Sequence, residues 1–374
     1  MLPVPTDRDD ERAALALARV AGVGPVTFRV LVDALGSAEA VWRTPAAVLR
    51  GLDGCPRPVA DAIGAFDAWA DVDVDLARLK ALGGRLLTLT SPAYPLHLRR
   101  IHDPPPVLHV LGDLTAGERR VVAVVGSRRA TPYGSATAAR LATELARAGF
   151  VVVSGLARGI DAAAHRGAMA GSGRTVAVLG CGVDVAYPPE MRGLKEEVRT
   201  AGAVVSELPL GAPPDPHHFP VRNRIISGMS LGVLVIEAAA DSGSLITAKL
   251  ALEQGREVFA VPGNVGTPTS IGPNRLIKAG ATLVETADDL LEQLVGQLGD
   301  AARRVAMVDA TADLTADERR VFDLLSWDPA HVDEITVRSS VKPDRLAELL
   351  LGLELKGVAK RVPGHRYVRQ VTAQ

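Results

Sequence analysis

The chain has 374 residues, 42 Lys+Arg against 43 Asp+Glu, and a net charge of −1, so any nucleic-acid site must come from local clustering, not a global basic surface. Hydrophobic residues at 47% and charged residues at 23% exclude disorder over most of the length, and aromatics at 3% argue against a surface built mainly of base-stacking rings. Cys55 and Cys181 are too few for a disulfide framework and lack the spacing of a metal cage.

The opening MLPVPTDRDDE has no basic leader and no apolar h-region. No apolar run approaches the ~18 residues that span a bilayer. A cytosolic chain is expected, with no membrane contact, no metal and no cofactor. Residues 1–84 read as a helical domain. Apolar residues recur at helical spacing from Leu15 to Val20 and from Val26 to Leu35, with Gly22-Val23-Gly24-Pro25 between them. This is a helix-hairpin-helix (SAM-like) pattern, whose Gly-rich turn presents N–H groups to a phosphate. A tight turn inside a small helical bundle is the plainer reading.

Residues 85–298 read as an α/β domain. Arg85–Leu89 is a strand, followed by a Pro-rich lead-in through Asp103-Pro104-Pro105-Pro106. From Arg119 strands are expected at Val121–Val125, Val151–Val153, Val176–Leu179, Ala203–Val205, Val233–Ile236 and Val258–Val261. Their unbroken apolar runs suit strands buried on both faces. Helices are expected at Ser135–Ala148, Ala162–Ala170, Leu194–Thr200, Ile225–Ser230, Leu245–Gln254 and Leu290–Leu298, the last after the capping box Thr286–Asp289. Alternating strands and helices predict an extended Rossmann-like, doubly wound parallel sheet. Residues 299–314 read as a linker. Residues 315–374 read as a winged helix: a capping box at Thr315–Glu318, three helices, and a hairpin from Val358 to Val368 turning at Pro363-Gly364.

Ligands of a doubly wound sheet bind beyond the C-terminal strand ends. The segments there are Gly126-Ser127-Arg128-Arg129, then Ser154-Gly155-Leu156-Ala157-Arg158-Gly159-Ile160-Asp161, Gly180-Cys181-Gly182, Phe219-Pro220-Val221-Arg222-Asn223-Arg224, and Ser242-Gly243-Ser244. Small residues admit an anion to the backbone, and helix N-termini offer free N–H groups. From Arg119 to Arg174 there are nine Arg, no Lys and two acids, an excess that fits a phosphate-binding groove. About half of these arginines, Arg140 and Arg147 among them, fit solvated helix faces. Arg128 and Arg158 follow Gly/Ser turns at strand ends and are expected to point into the crevice and hold phosphates.

Neither Gly-x-Gly-x-x-Gly after the first strand nor a P-loop is present, which argues against dinucleotide or ATP chemistry. Asp161, Asp184, Glu207 and Glu237 fall at strand ends and suit an acid/base set for nucleotide cleavage. They equally suit partners that orient Arg128, Arg158, Arg222 and Arg224 and cap helices, the preferred reading. His217 and His218 are adjacent and lack a third ligand, and Cys181 lies between glycines as a turn cysteine. Phe219 fits either base stacking or packing beneath its loop. In the wing, Lys356, Lys360, Arg361, Arg366 and Arg369 oppose only Glu354. That charge suits a DNA backbone or a protein partner.

These motifs, in this order, resemble the bacterial DNA-processing protein A (DprA/Smf) family. The resemblance is carried by Val122–Arg128, Ser154–Asp161, Phe219–Ile226, Ser242–Ala248, Val261-Pro262-Gly263 and Gly272-Pro273-Asn274. It implies sequence-independent binding of single-stranded DNA, a homodimer through the Rossmann domain, and loading of RecA recombinase during natural transformation or recombination. It implies no catalytic residue. The site it outlines is Gly126, Ser127, Arg128, Ser154, Gly155, Arg158, Gly159, Phe219, Arg222, Asn223, Arg224 and Ser244. Lysine is frequent in the family at position 158, and Arg158 keeps that charge with a different geometry. A nucleotide-cleaving hydrolase of the lysine-decarboxylase-like Rossmann group is the alternative. Its Pro-Gly-Gly-x-Gly-Thr-x-x-Glu motif is missing where Glu237–Leu245 stands. A transcription regulator resting on the winged helix is a third reading.

Overall fold

A computed structural model describes residues 7–114, 118–294, 296, 314–325, 330–339, 341–356, 358–362 and 364–369. They fall into two compact units, residues 1–292 and 293–374.

The first unit begins with helices Asp7–Arg19 (α1), Pro25–Leu35 (α2), Ala38–Arg43 (α3), Ala46–Leu49 (α4), Arg57–Gly64 (α5) and Trp69–Ala81 (α6). The expected turn joins the first pair: Gly22 has φ +84° and Pro25 opens α2. Leu17, Phe28, Leu31, Leu49 and Leu79 are fully buried. Beside them Trp42, Phe66 and Trp69 pack with ring centroids 4.7 to 5.4 Å apart. The Trp42 indole N–H is satisfied by Ala13 O at 2.9 Å.

The sheet follows as Gly84–Thr88 (β1), Val107–Gly112 (β2), Val121–Gly126 (β3), Val151–Ser154 (β4), Thr175–Val178 (β5), Ala203–Ser206 (β6), Gly232–Ile236 (β7), Glu257–Ala260 (β8) and Thr282–Leu283 (β9). Between and after these strands run Pro132–Arg147 (α7), Ile160–Ala170 (α8), Arg192–Ala201 (α9), His218–Gly228 (α10), Gly243–Glu253 (α11), Ile271–Lys278 (α12) and residues 287–294 (α13). The order is β1-β2-β6-β5-β4-β3-β7-β8-β9. From β6 to β9 all pairs are parallel, and β4 to β7 are buried along their whole length, as their apolar runs require.

The parallel sheet gains an antiparallel end that the sequence did not reveal. Residues 107–112, where no strand is expected from the sequence, form β2, which pairs antiparallel with both β1 and β6. The prolines at 104–106 lie just before the strand, so its N–H groups remain free for the ladder. The short β9 and α12 also went unread, and α10 starts seven residues earlier than its apolar run. The later part of the helix expected to Leu298 and most of the linker expected at 299–314 lie outside the described residues. Strand order reverses at β3, which lies between β4 and β7. The crevice therefore opens beyond the C-terminal ends of β3 and β7. A Cβ on Gly126 would come within 1.8 Å of Ile236 O, so only glycine closes the sheet there.

The second unit has helices Ala316–Leu324 (α14), Val332–Ser339 (α15) and Pro343–Leu355 (α16), and strands Ala330–His331 (β10), Ala359–Val362 (β11) and Arg366–Arg369 (β12). The sheet order is β10-β12-β11, so a short unforeseen strand joins the hairpin. The Thr315–Glu318 capping box is complete. Leu346, Leu349, Leu350 and Leu353 form the buried stripe of α16. Lys360, Arg361 and Arg366 are exposed on the wing.

Candidate functional site

A cleft of about 540 Å³ occupies the switch point. It brings together Gly126, Ser127 and Arg128 after β3, Phe219, Arg222 and Asn223 on α10, and Ser244 on α11. Ser154, Gly155, Arg158, Gly159 and Arg224 stand outside that lining. Three of these support it. Ser154 Oγ donates to Val124 O at 2.6 Å, tying β4 to β3. Gly155 O accepts from Arg222 at 2.9 Å. Gly159, at φ +75°, lies where a Cβ would come within 2.3 Å of Ser127 O.

The helices that follow β3, β4 and β7 begin at these strand ends, and their N-termini differ. At α7, Thr131 Oγ accepts from Gly134 N at 3.0 Å, while Glu237 Oε2 accepts from Thr131 N at 2.8 Å. The Thr131 hydroxyl donates to the other Glu237 oxygen. Glu237 holds a left-handed backbone, φ +48°, to reach this position. At α8, the buried Asp161 accepts from Gly155 N at 3.1 Å and Ala157 N at 3.3 Å. Burial raises its carboxyl pKa, while Arg222 and these N–H groups oppose the shift. Glu237 thus caps the start of α7, and α8 carries its own acid, Asp161, in its first turn, bonded to the loop before it. The N-terminus of α11 has no acid in its first turn, only Ser242 Oγ accepting from Ser244 N at 3.3 Å. It remains available to an anion.

The arginines divide in the same way. Arg222 is buried, donating to Gly155 O and Val178 O, and its Nε has no partner. Burial lowers its pKa to about 10, with Asp161 opposing. Arg224 is 7% exposed, with Nε 3.2 Å from Asp103 and a second nitrogen on Glu207. Burial raises the pKa of Glu207, and Arg224 holds it back. Arg158 was expected to point into the crevice. It lies at 61% exposure and is bound instead to Glu190. Arg128 is exposed and, among the described residues, has no carboxylate partner. Its guanidinium lies 5.3 Å from the Phe219 ring centroid. The expected matching of strand-end acids with arginines therefore holds for Glu207 with Arg224 and, through charge alone, for Asp161 with Arg222, while Glu237 takes the expected capping role. Asp184 instead reaches Gly211 N at 2.8 Å and Arg78 at 3.7 Å.

Phe219 is half-buried against Gly180, with the Tyr187 ring 5.6 Å away and the Arg222 guanidinium 5.9 Å away. Sequence reasoning missed Tyr187 and Arg129, both in the cleft wall. Arg129 was legible as the second arginine of its turn. Tyr187 was not, because it lies far along the chain from Phe219. Asn223 Nδ2 reaches Gly243 O at 3.3 Å and ties α10 to the start of α11. Ser127 N donates to Glu237 O at 2.7 Å, which holds the Arg128 loop to β7. Cys181 is buried, which raises its thiol pKa. Among the described residues no three His, Cys, Asp or Glu converge as a metal site, and no helix is long and apolar enough to cross a membrane.

Fold and cleft define a Rossmann-type protein with a strand-end cleft, carrying an N-terminal helix-hairpin-helix segment and a C-terminal winged helix. The family model for DNA recombination-mediator protein A matches residues 85–295. Models for the DprA winged helix domain and the DprA-like N-terminal HHH domain match residues 305–365 and 8–50. The chain belongs to the DNA recombination-mediator protein A family. Protein Smf of Synechocystis is 32% identical over 389 residues, covering 95% of this chain and 98% of the relative. Protein Smf of Escherichia coli is 40% identical over 302 residues, 80% of each chain. The X-ray structure of DNA processing protein A from Streptococcus pneumoniae matches with TM-score 0.67 and 32% identity, covering 75% of this chain and 97% of that one. DNA processing protein A from Helicobacter pylori, whose structure concerns its single-stranded DNA binding mode, matches with TM-score 0.51 and 29% identity over 57% of this chain and 97% of that one.

Proposed function

We propose that this chain binds single-stranded DNA without sequence preference in the strand-end cleft and passes it to RecA recombinase during transformation or recombination. The observation that carries the reading is an exposed cation at the cleft mouth. Arg128 has no carboxylate partner among the described residues and stands over an aromatic ring, near the acid-free N-terminus of α11. Phosphate at Arg128 and α11, with a base on Phe219 or Tyr187, uses each of these groups. The similarity to the Helicobacter pylori protein supports the choice of ligand.

In this reading the site comprises Gly126, Ser127, Arg128, Phe219, Asn223 and Ser244 around the strand. Arg158 joins when phosphate displaces Glu190. Ser154, Gly155, Gly159, Arg222 and Arg224 shape the floor. No residue is assigned a catalytic role, and the occupied state of Glu237, Asp161 and Glu207 favours binding over nucleotide cleavage. The reading divides the chain at residues 84, 298 and 314. It also includes a homodimer through the Rossmann domain, for which Leu252 on α11, 61% exposed, is one contact point.

Fluorescence anisotropy tests it with one labelled strand and its duplex, across salt, for wild type and Arg128→Ala/Arg158→Ala. Salt-sensitive preference for the single strand that collapses in the double variant is expected. Equal duplex binding that survives the substitutions would move the site to the wing. Faster RecA assembly on the labelled strand in the presence of the chain tests the loading step.

A further inference from the structure

We infer that the bound strand crosses Arg129 and places a further base in a second pocket, against the exposed ring of Tyr133. The inference rests on the single-strand reading above. The pocket, about 400 Å³, opens beyond the ends of β7 and β8 and shares no lining residue with the main cleft. The lining of the cleft includes Arg129 and Ala239, and that of the pocket includes Thr131 and Glu237. Along the chain the two linings therefore come within one residue of each other, at Ala130 and at the fully buried Ala238. Arg129 stands exposed on the cleft side and has no ion-pair partner among the described residues.

The chemistry of the pocket suits a base and sugar. Its polar wall is Thr267, Thr269, Ser270 and Asn264, neutral groups that donate and accept. Its one acid is Glu237, whose two oxygens are held by Thr131. Tyr133 is 65% exposed. It sits in the first turn of α7, which the Thr131 cap holds in place, so the ring is presented from a rigid base. An exposed ring four residues along the chain from an exposed arginine supplies the two kinds of group that hold a base and its phosphate on a single strand. The strand would thus run from Phe219 and Tyr187, past Arg128 and Arg129, to Tyr133.

The test uses full-length protein and labelled oligothymidylates of about 4 to 16 nucleotides, with anisotropy for wild type, Tyr133→Ala and Tyr133→Phe. Tyr133→Ala is expected to weaken the longer strands about tenfold, leave the shortest unchanged, and be rescued by Tyr133→Phe. An abasic residue moved along the long strand should, at one position, erase the difference between wild type and Tyr133→Ala. Equal loss at every length, no loss at any length, or no such abasic position would overturn the second pocket. Failure of the wild type to bind any single strand would defeat the underlying reading as well. Wild-type binding that ignores Tyr133→Ala defeats only the pocket.

Discussion

The two lips of the cleft carry the same residue type in opposite states. On the lip built by β4, α8 and α10, Arg222 and Arg224 are buried and Arg158 is paired at the surface. On the lip built by β3 and α11, Arg128 and Arg129 are exposed without a carboxylate partner among the described residues. A buried arginine that spends its donors on carbonyls holds backbone in place. An exposed, unpaired one is open to a ligand. The positive charge of a motif therefore says little about binding until its partners are counted.

Substitutions break this comparison in order of effect. Arg222→Met should be the most damaging. It strips Gly155 O and Val178 O of their donor and leaves Asp161 buried beside no cation, costing about 3–5 kcal/mol in chemical denaturation. Arg128→Ala should change stability by less than about 0.5 kcal/mol in the same assay. Similar losses for both would erase the distinction between the lips.

Acid should act through the closed lip. His165 on α8 is buried, and burial, with Arg222 and Arg166, lowers its pKa to about 3. The unfolded chain takes up this proton near pH 6.5 and the folded chain does not until about pH 3. Its contribution is thus fully present above pH 6.5 and lost as pH falls, at about 1.4 kcal/mol per pH unit. His109 on β2, lowered by burial to about 4, adds to the same slope. Denaturation midpoints measured from pH 7.5 to 5 should fall accordingly, and a flat profile would contradict neutral, buried histidines.

The open lip should speak through affinity. Arg128→Ala should weaken single-strand binding about tenfold at low salt and flatten the log–log salt slope by about 0.7. Loss without a change in slope would mean that Arg128 touches no phosphate. The smallest effect belongs to Glu190→Gln, which frees Arg158 from its surface pair. Tighter binding by about two- to threefold is expected, in keeping with the small worth of an exposed ion pair. Unchanged affinity would leave Arg158 outside the path of the strand.

Most of the parallel sheet was legible because strands such as Val121–Val125 are apolar without alternation, and only burial on both faces accommodates that. The winged helix was legible from one capping box and one leucine stripe. β2 was hidden by the prolines before it and by the absence of any local sign that an antiparallel partner, β6, waits across the sheet. Within the site, the Gly126–Arg128 turn and the Ser242–Ser244 helix start were readable because local backbone chemistry suffices to make an anion-binding end.

The order of apolar runs, glycine turns and caps is local information, and it settled the class of fold and pointed to the end of the sheet where the cleft opens. The fate of each charge is not local. Arg222 and Arg128 look alike in the chain, and Glu237 fills the N-terminus of a helix 106 residues away. Tyr187 meets Phe219 only because the loop after β5 and the start of α10 fold together. Burial and pairing depend on what the folded chain brings within a few ångströms, so only the tertiary structure separates the arginines that hold the fold from those free to hold a ligand.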